Sequence, residues 1–249
     1  GVPVTGVSID SRSLEVGEAF VAIRGYRLDG HAFVKDAAAR GASCLVVHAL
    51  PDEIPLDVPV ILVDDTTRAL GRLAAFHHSR FSLPVVAVTG SNGKTTTKEM
   101  IAAILAGLGP VLKPEGSFNN QWGLPLTLLR LTPEHRAVAL ELGASRRGDI
   151  AALAEISRPT VGVVTTVSSA HTEFLDSLEG VQREKATLVE AIPPDGRVVL
   201  NADDERVMAM AAVSRAPVLT FSTRGGADGS LVGAPDETTG GLAFTLDIG

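Results

Sequence analysis

The sequence predicts an α/β protein whose larger part is built on a mostly parallel sheet. From residue 84 onward, short and fully apolar segments alternate with segments of helical periodicity; the predicted strands are residues 85–88, 137–140, 161–164, 198–200 and 218–221. Strands that are apolar on both faces are buried on both faces, which is typical of a parallel sheet covered by helices. Ligands of such sheets bind beyond the carboxyl ends of the strands.

Residues 1–81 predict a smaller α/β unit. Short strands are predicted at 5–9, 19–23, 44–47 and 60–63, and helices at 33–40 and 66–78, the second helix being capped by Asp65 or Thr66. Ser82-Leu83-Pro84 follows, and a proline cannot continue a helix but favours an extended entry into the next strand. We therefore expect one domain at residues 1–82 and a second at 83–249.

Composition and charge exclude several classes of partner. The 249 residues carry a formal net charge of -7 and a pI near 5.4, which leaves no basic surplus for nucleic acid or an anionic membrane. No apolar run reaches the ~18–20 residues of a membrane span, and the N-terminus lacks a signal-peptide pattern. The single cysteine, Cys44, is expected to be a buried strand thiol. We expect a cytoplasmic protein that binds neither nucleic acid nor membrane.

A glycine-rich turn joins the predicted strand at 85–88 to a helix that begins at Lys94. Such a turn wraps its backbone around an anion, and the helix start adds unpaired N–H groups and the positive end of the helix dipole. Lys94 adds a full charge, and the Thr95 hydroxyl is placed to bind a magnesium ion that bridges phosphates. We predict a phosphate-binding loop formed by Gly90, Ser91, Asn92, Gly93, Lys94, Thr95 and Thr96.

This loop departs from the common GxxxxGK[ST] pattern, because Val88 occupies the position of the first glycine. We interpret the loop as a shortened variant. The alternative is a glycine-rich turn that binds nothing, and the apolar strand before it and the helix after it argue against that alternative.

Two further side chains follow predicted strands at the same edge of the sheet. Glu141 is positioned to deliver a carboxylate beside the loop, and His171 follows the next strand. Magnesium prefers hard oxygen ligands, which a carboxylate supplies. Taken alone, Glu141 is equally compatible with a solvated charge at a strand end, and His171 is more typical of a loop or a helix cap.

Five segments occur along the chain in a recognisable order, namely residues 89–97, 117–120, 141–144, 170–171 and 201–204. This order resembles the Mur ligases. The segment 117–129 is similar to the branch of the family that adds a dipeptide. In the N-terminal part, Asp10-Ser11-Arg12 and residues 29–33 are similar to the family's uridine-nucleotide-binding domain, so the resemblance extends over essentially the whole chain.

The resemblance implies an ATP-dependent ligase of peptidoglycan precursor synthesis, with UDP-N-acetylmuramoyl-tripeptide and D-alanyl-D-alanine as substrates. The tripeptide carboxylate would attack the γ-phosphate of ATP to give an acyl phosphate, and the dipeptide amine would then displace phosphate. Lys94 would neutralise charge on the transferred phosphoryl group. The resemblance also implies two Mg²⁺ ions, one bound by Thr95 and Glu141 and the second by His171 and Lys185.

At the position of Lys185, the family carries a lysine that carbon dioxide converts to a carbamate, and the resemblance implies the same modification here. A carbamate is an anionic oxygen ligand, whereas an unmodified ammonium would repel a magnesium ion. Lys185 lies in a predicted helix. Without the resemblance it would be interpreted as a solvated lysine on the polar face.

Substrate contacts are implied in both predicted domains, by Ser11, Arg12, Asp29, Gly30, His31, Asn119 and Asn120. A guanidinium can bind a diphosphate through charge-assisted hydrogen bonds, and an asparagine amide offers both a donor and an acceptor. Structural alternatives are a turn at residues 10–12, a plain loop histidine, and asparagines that form a turn or cap a helix. Trp122 and residues 124–129 have the spacing of core residues, and residues 201–204 have no assigned role.

The chain ends at Gly249, whereas the family continues into a C-terminal domain that closes over the nucleotide. We therefore expect a fragment that binds nucleotide but turns over poorly or not at all. We also expect a monomer. The alternatives within this chemistry are another Mur-type amino-acid ligase and a folylpolyglutamate synthetase. A P-loop kinase or ATPase would show the longer loop spacing and a strand that ends in aspartate. A nucleotide-binding module that has lost catalysis is the alternative from another class.

Overall fold

The computed structural model describes residues 2–25, 27–50, 58–116, 118–168, 177–238 and 241–248. The chain forms two compact units. The first comprises Gly1–Phe81 and Gln121–Thr132, and the second comprises Ser82–Asn120 and Pro133–Gly249. The first boundary lies next to the predicted one. Residues 121–132, which the sequence prediction places in the second domain, belong to the first unit.

The elements alternate as the sequence predicts. The strands are β1 (Val7–Ser8), β2 (Ala19–Val21), β3 (Cys44–Val47), β4 (Val60–Leu62), β5 (Val85–Thr89), β6 (Val111–Leu112), β7 (Ala137–Glu141), β8 (Val161–Val164), β9 (Arg197–Asn201), β10 (Val218–Ser222), β11 (Gly229–Thr238) and β12 (Gly241–Ile248). The helices are α1 (Val34–Ala39), α2 (Thr66–His78), α3 (Lys94–Leu105), α4 (Gly123–Leu129), α5 (Asp149–Ser157), α6 (Leu178–Ala191) and α7 (Glu205–Met208), with 3₁₀ turns at Gly30–Phe33, Ala106–Leu108 and Ala209–Val213. Over the described part of the chain, none of these helices combines the length and the apolar character needed to cross a bilayer.

The first unit is a parallel sheet in the order β1-β2-β3-β4. Cys44 lies buried in β3, and burial raises the pKa of its thiol. Asp65 caps α2, because its side chain accepts a 3.0 Å hydrogen bond from the N–H of Arg68. This bond decides between the two predicted caps.

Helix α4 completes the core of the first unit. Trp122, Leu126 and Leu129 pack against a buried cluster of the first unit that consists of Val21, Ile23 and Leu70. The Trp122 Nε1–H also donates to Thr67 Oγ1 at 3.1 Å. The prediction that this segment is core is therefore confirmed, although the core is that of the first unit.

Among the described residues, the second unit contains an eight-stranded sheet in the order β12-β11-β10-β9-β8-β5-β7-β6. Its strand pairs are parallel except for the antiparallel pair β11–β12. All side chains of β5 and β7 are buried. These observations confirm the predicted mostly parallel sheet with strands covered on both faces.

The carboxyl ends of β5, β7, β8 and β9 lie at one edge of this sheet, because the strands are parallel and adjacent. The register pairs Val88 of β5 with Glu141 of β7 and with Val163 of β8. The turn after β5 therefore lies between the end of β7 and the loop after β8. This is the edge at which the sequence predicts the ligand.

Candidate functional site

The turn between β5 and α3 has the backbone of a phosphate-binding loop. Gly90 and Gly93 have φ angles of 151° and 80°, which residues with a Cβ rarely adopt. A Cβ on Gly90 would also collide with Thr165 Oγ1. Gly93 is the N-cap of α3, so the N–H groups of the first helical turn, which have no partner within the helix, open onto this loop.

Lys94 folds back over the loop. Its Nζ donates to the carbonyl oxygen of Gly90 at 2.9 Å and to that of Ser91 at 3.4 Å. The ammonium therefore lies beside the start of α3, where its charge adds to the positive end of the helix dipole. Together, the N–H groups and this ammonium concentrate positive charge at one point of the sheet edge, which is the electrostatic requirement for binding an anion.

The loop after β8 holds the phosphate-binding loop in place. Thr165 Oγ1 donates to the carbonyl of Asn92 at 2.6 Å, and the N–H of Ser91 donates to the carbonyl of Thr166 at 2.8 Å. Thr166 Oγ1 accepts from the N–H of Asn92 at 3.1 Å. The sequence signal for these two threonines is their position directly after an apolar strand of the sheet, although no role was predicted for them.

Glu141 is a buried carboxylate with both oxygens hydrogen-bonded. Thr95 Oγ1 donates to Oε2 at 2.7 Å, and Asn119 Nδ2 donates to Oε1 at 2.8 Å. The residue is only 3% exposed. Burial of a charged group is costly unless hydrogen bonds satisfy it, and two such bonds do so here. The alternative of a solvated strand-end charge is therefore wrong.

Lys185 is also buried, with 6% of its surface exposed. Burial, and then the charge of Lys94, lower the pKa of Lys185 to about 8, while the neighbouring Glu184 acts in the opposite direction. The alternative of a solvated lysine is therefore wrong as well. The Glu184 carboxylate accepts 2.8 Å hydrogen bonds from the N–H groups of Gly148 and Ile150, which fastens α6 to the start of α5.

The predicted magnesium ligands divide into two groups. Thr95 and Glu141 supply hydrogen-bonded hard oxygens beside the anion site, and this donor set fits one Mg²⁺ ion. His171 lies outside the described residues. An ammonium at Lys185 does not fit a cation, so a second ion would need the carbamate. Within the described ranges, no group of three or more His, Cys, Asp or Glu side chains could hold a metal.

In the first unit, Arg12 forms an exposed ion pair with Asp10. The guanidinium Nη2 lies 2.7 Å from Asp10 Oδ2, and the Arg12 side chain is 86% exposed. The hydrogen bonds from Arg12 lower the pKa of Asp10 to about 2. Ser11, between them, is buried. The segment therefore forms the turn that was the structural alternative, and the Arg12 guanidinium lies in solvent.

Asp29 and His31 are bonded to each other. Asp29 Oδ1 caps the 3₁₀ turn by accepting from the N–H of His31 at 3.0 Å, and it lies 2.7 Å from His31 Nδ1. His31 Nε2 accepts a hydrogen bond from the N–H of His48 at 3.1 Å. The ring proton is therefore on Nδ1, which donates a hydrogen bond to Asp29. At Gly30 a Cβ would lie 2.7 Å from the backbone nitrogen of Ile23. The segment is a tight turn built into the first unit.

Residues 201–204, which the sequence left without a role, connect three strand ends. Asn201 Nδ2 donates to the carbonyl of Thr165 at 2.8 Å. Asp203 accepts from Ser222 Oγ at 2.6 Å and from Thr223 Oγ1 at 2.6 Å. Asp204 caps α7, and its other oxygen accepts from the N–H of Val167 at 2.8 Å. The segment therefore fixes the loops after β8, β9 and β10 relative to one another.

A phosphate-binding loop after a central parallel strand, with a carboxylate at the end of the neighbouring strand, defines a nucleotide-binding α/β domain of the P-loop type. Comparison with known families agrees and is more specific. Residues 88–246 match the Mur ligase middle domain, and residues 3–78 match the domain described as "Mur ligase family, catalytic domain". The chain belongs to the Mur ligase family.

Individual relatives are similar over most of the chain. The UDP-N-acetylmuramoyl-tripeptide--D-alanyl-D-alanine ligases of Synechocystis and Escherichia coli are 38% and 41% identical, over 90% and 82% of this chain and over 50% and 44% of their own lengths. A crystal structure of the Thermotoga maritima MurF ligase in complex with ADP superimposes with a TM-score of 0.87 at 31% identity, covering 98% of this chain and 56% of that one. The chain thus spans about half the length of these relatives.

Proposed function

We propose that this chain carries the nucleotide-binding and precursor-binding parts of an ATP-dependent amide ligase. The ligase would join D-alanyl-D-alanine to UDP-N-acetylmuramoyl-tripeptide in peptidoglycan precursor synthesis. The main support is the arrangement at the sheet edge, where the Lys94 anion site adjoins the Thr95–Glu141 pair and the charge of Lys94 acts on buried Lys185. The names of the similar proteins support the choice of substrates.

The proposed reaction activates a carboxylate that is otherwise a poor electrophile. An oxygen of the tripeptide's terminal carboxylate attacks the γ-phosphorus of ATP, and ADP leaves. The amine nitrogen of D-alanyl-D-alanine then attacks the acyl carbon, and inorganic phosphate leaves as the nitrogen loses a proton. The Lys94 ammonium and the first-turn N–H groups of α3 would stabilise negative charge on the transferred phosphoryl group.

When bound, Mg²⁺ would neutralise part of the phosphate charge, held by Thr95 and Glu141. We propose that Lys185 is carbamylated and that, together with His171, it would hold a second Mg²⁺ ion. Carbamate formation requires a neutral amine, and the buried position of Lys185 beside a second cationic side chain favours the neutral form.

The carbamate can be tested directly with ¹³C-labelled bicarbonate. We expect a carbamate carbon signal in the NMR spectrum of the wild type that disappears in Lys185→Arg. Lys113→Arg is the matched control, because Lys113 is a partly exposed lysine of the same unit and its replacement should leave the signal in place. A spectrum without the signal at neutral pH would contradict the modification.

The first unit is proposed to bind the uridine nucleotide of the precursor. Arg12 is exposed and could exchange its Asp10 partner for a diphosphate. Ser11 belongs to the turn that carries Arg12, and Asp29, Gly30 and His31 form a second turn of the first unit that we propose as a further contact. Asn120 is proposed separately as a precursor contact. Arg12→Ala should then weaken binding of the uridine precursor without changing the affinity for ADP, as measured by titration calorimetry.

We further propose that the protein is a monomer in the cytoplasm, where ATP and nucleotide-linked precursors are available. Light scattering on the purified protein tests the oligomeric state.

The test of the proposed function is phosphate release from ATP by the full-length protein, with each substrate added or withheld. We expect release to require both the UDP-linked tripeptide and D-alanyl-D-alanine. We also expect Lys185→Ala to abolish release and short carboxylic acids to restore part of it, because they can replace the carbamate oxygens. Phosphate release that does not depend on either substrate would overturn the ligase assignment and leave a nucleotide-binding module or an unrelated ATPase.

The same assay separates the related ligases. A Mur-type ligase that adds a single amino acid would release phosphate with that amino acid in place of the dipeptide, and a folylpolyglutamate synthetase would require a folate and glutamate. The 36–41% identity to the dipeptide-adding ligases favours the dipeptide.

A further inference from the structure

We infer that Asn119 is a positioning residue that sets the orientation of the Glu141 carboxylate for the metal. This inference rests on the proposed function, because it assigns a role to a neighbour of a proposed magnesium ligand. It replaces the substrate contact that the sequence suggests for Asn119.

The side-chain amide of Asn119 is hydrogen-bonded to the Glu141 carboxylate. Its Nδ2 donates to Glu141 Oε1 at 2.8 Å, while the other carboxylate oxygen accepts from Thr95. A carboxylate held at both oxygens has a fixed plane. About four lone-pair sites are available on an ionised carboxylate, so two hydrogen bonds leave capacity for a cation.

The backbone also fixes the position of Asn119. The N–H of Gly143, two residues beyond Glu141, donates to the Asn119 carbonyl at 2.9 Å. A Cβ on Gly143 would lie 2.8 Å from both Cγ and Oδ1 of Asn119. The side chain therefore occupies the space that a larger residue at position 143 would fill. The chain after β7 is shaped to receive this asparagine.

An amide orients a carboxylate without neutralising it, whereas a lysine or arginine at position 119 would form an ion pair that competes with the metal. An aspartate would bring a second negative charge to a buried carboxylate and disfavour its ionised form. Asparagine thus supplies a donor while leaving the charge of Glu141 available to Mg²⁺. Partners of this kind typically change metal affinity by about 10–100-fold when they are removed.

The test measures Mn²⁺ binding in the presence of ADP by the electron paramagnetic resonance signal of free Mn²⁺, using the full-length protein. We expect Asn119→Ala to weaken Mn²⁺ binding by about 10-fold or more, while the affinity for the UDP-linked tripeptide stays at the wild-type value. Gly143→Ala is the second variant, because its methyl group would displace the Asn119 side chain and leave the amide itself intact. It should shift Mn²⁺ affinity in the same direction.

Asn120→Ala is the matched comparison, since it removes the neighbouring amide. We expect it to lower precursor affinity and to leave Mn²⁺ affinity unchanged. Thermal melting of each variant confirms that it is folded under the conditions of the titration. Unchanged Mn²⁺ affinity in Asn119→Ala, in a protein whose wild type binds Mn²⁺ with ADP, would overturn the positioning role alone. A wild type that binds ADP without any effect of Mn²⁺ would overturn the proposed function as well.

Discussion

Thr95 Oγ1 and Glu141 Oε2 lie 2.7 Å apart, although 46 positions separate the two residues in the chain. The first is in the opening turn of α3, and the second is the last residue of β7. The parallel pairing of β5 with β7 brings them together. The fold thus places two hard oxygens together at the start of α3.

Replacing Thr95 by valine removes one of these oxygens and keeps the shape of the side chain. We expect Thr95→Val to weaken the binding of Mn²⁺ with ADP by about tenfold or more, because both a ligand and a partner of Glu141 are lost. ADP affinity in the presence of EDTA should stay the same. Thr95→Ser keeps the hydroxyl and is the control. Wild-type Mn²⁺ affinity in Thr95→Val would show that this hydroxyl is not a ligand.

Gly90 should not tolerate a side chain. In Gly90→Ala the new methyl group would collide with Thr165 Oγ1 at a φ angle that alanine rarely adopts. We expect the free energy of unfolding to fall by about 1–3 kcal/mol or more, together with a loss of ADP affinity. Gly107→Ala is the control, because a Cβ there would meet open space. Chemical denaturation measures the free energy of unfolding of both variants, and equal values would contradict the steric argument.

Asp204 should contribute to stability through two sets of hydrogen bonds. Its Oδ1 accepts from the N–H groups of Arg206 and Val207, and its Oδ2 accepts from the N–H of Val167. We expect Asp204→Ala to lower the free energy of unfolding by about 1–3 kcal/mol, since a helix cap and a carboxylate hydrogen bond are both lost. The exposed Asp195 provides the comparison, and Asp195→Ala should be close to neutral. A neutral Asp204→Ala would mean that water replaces both sets of bonds.

Asp203 should titrate at unusually low pH. Hydrogen bonds from Ser222 and Thr223 lower its pKa from the ordinary 3.8 to about 2. Because the folded pKa lies below the unfolded one, the carboxylate stabilises the fold above the unfolded pKa, and this contribution is lost as pH falls through about 2. Carboxyl ¹³C NMR should give a midpoint near 2 in the wild type. Thr223→Val should raise it, and an unchanged midpoint in that variant would contradict the stated cause.

The sequence alone was sufficient for the α/β class, the parallel sheet and the glycine-rich turn that is predicted to bind phosphate. The apolar strands and the turn at Gly90 and Gly93 depend on the residues of these segments themselves, so they can be predicted from residue type. The loop could therefore be placed between β5 and α3 without any knowledge of tertiary contacts.

Roles that depend on distant partners could not be predicted in the same way. An asparagine such as Asn119 has the same donors and acceptors whether it faces a substrate or Glu141, and only the fold decides. The burial of Lys185 likewise depends on how α6 packs against its neighbours. The apolar residues of α4 could pack in the core of either unit. The sequence therefore did not show that α4 packs against Leu70 of the first unit.

The contribution of α4 to the first unit affects the order in which the protein can fold. Domains usually fold as they are synthesised, beginning at the N-terminus. Here the cluster of Val21, Ile23 and Leu70 is covered by Trp122 and Leu126, which the ribosome adds only after the phosphate-binding loop. The N-terminal unit therefore cannot finish its core until the chain has been synthesised through residues 121–132. A peptide of residues 1–81 alone would leave this apolar cluster open to solvent and prone to aggregation.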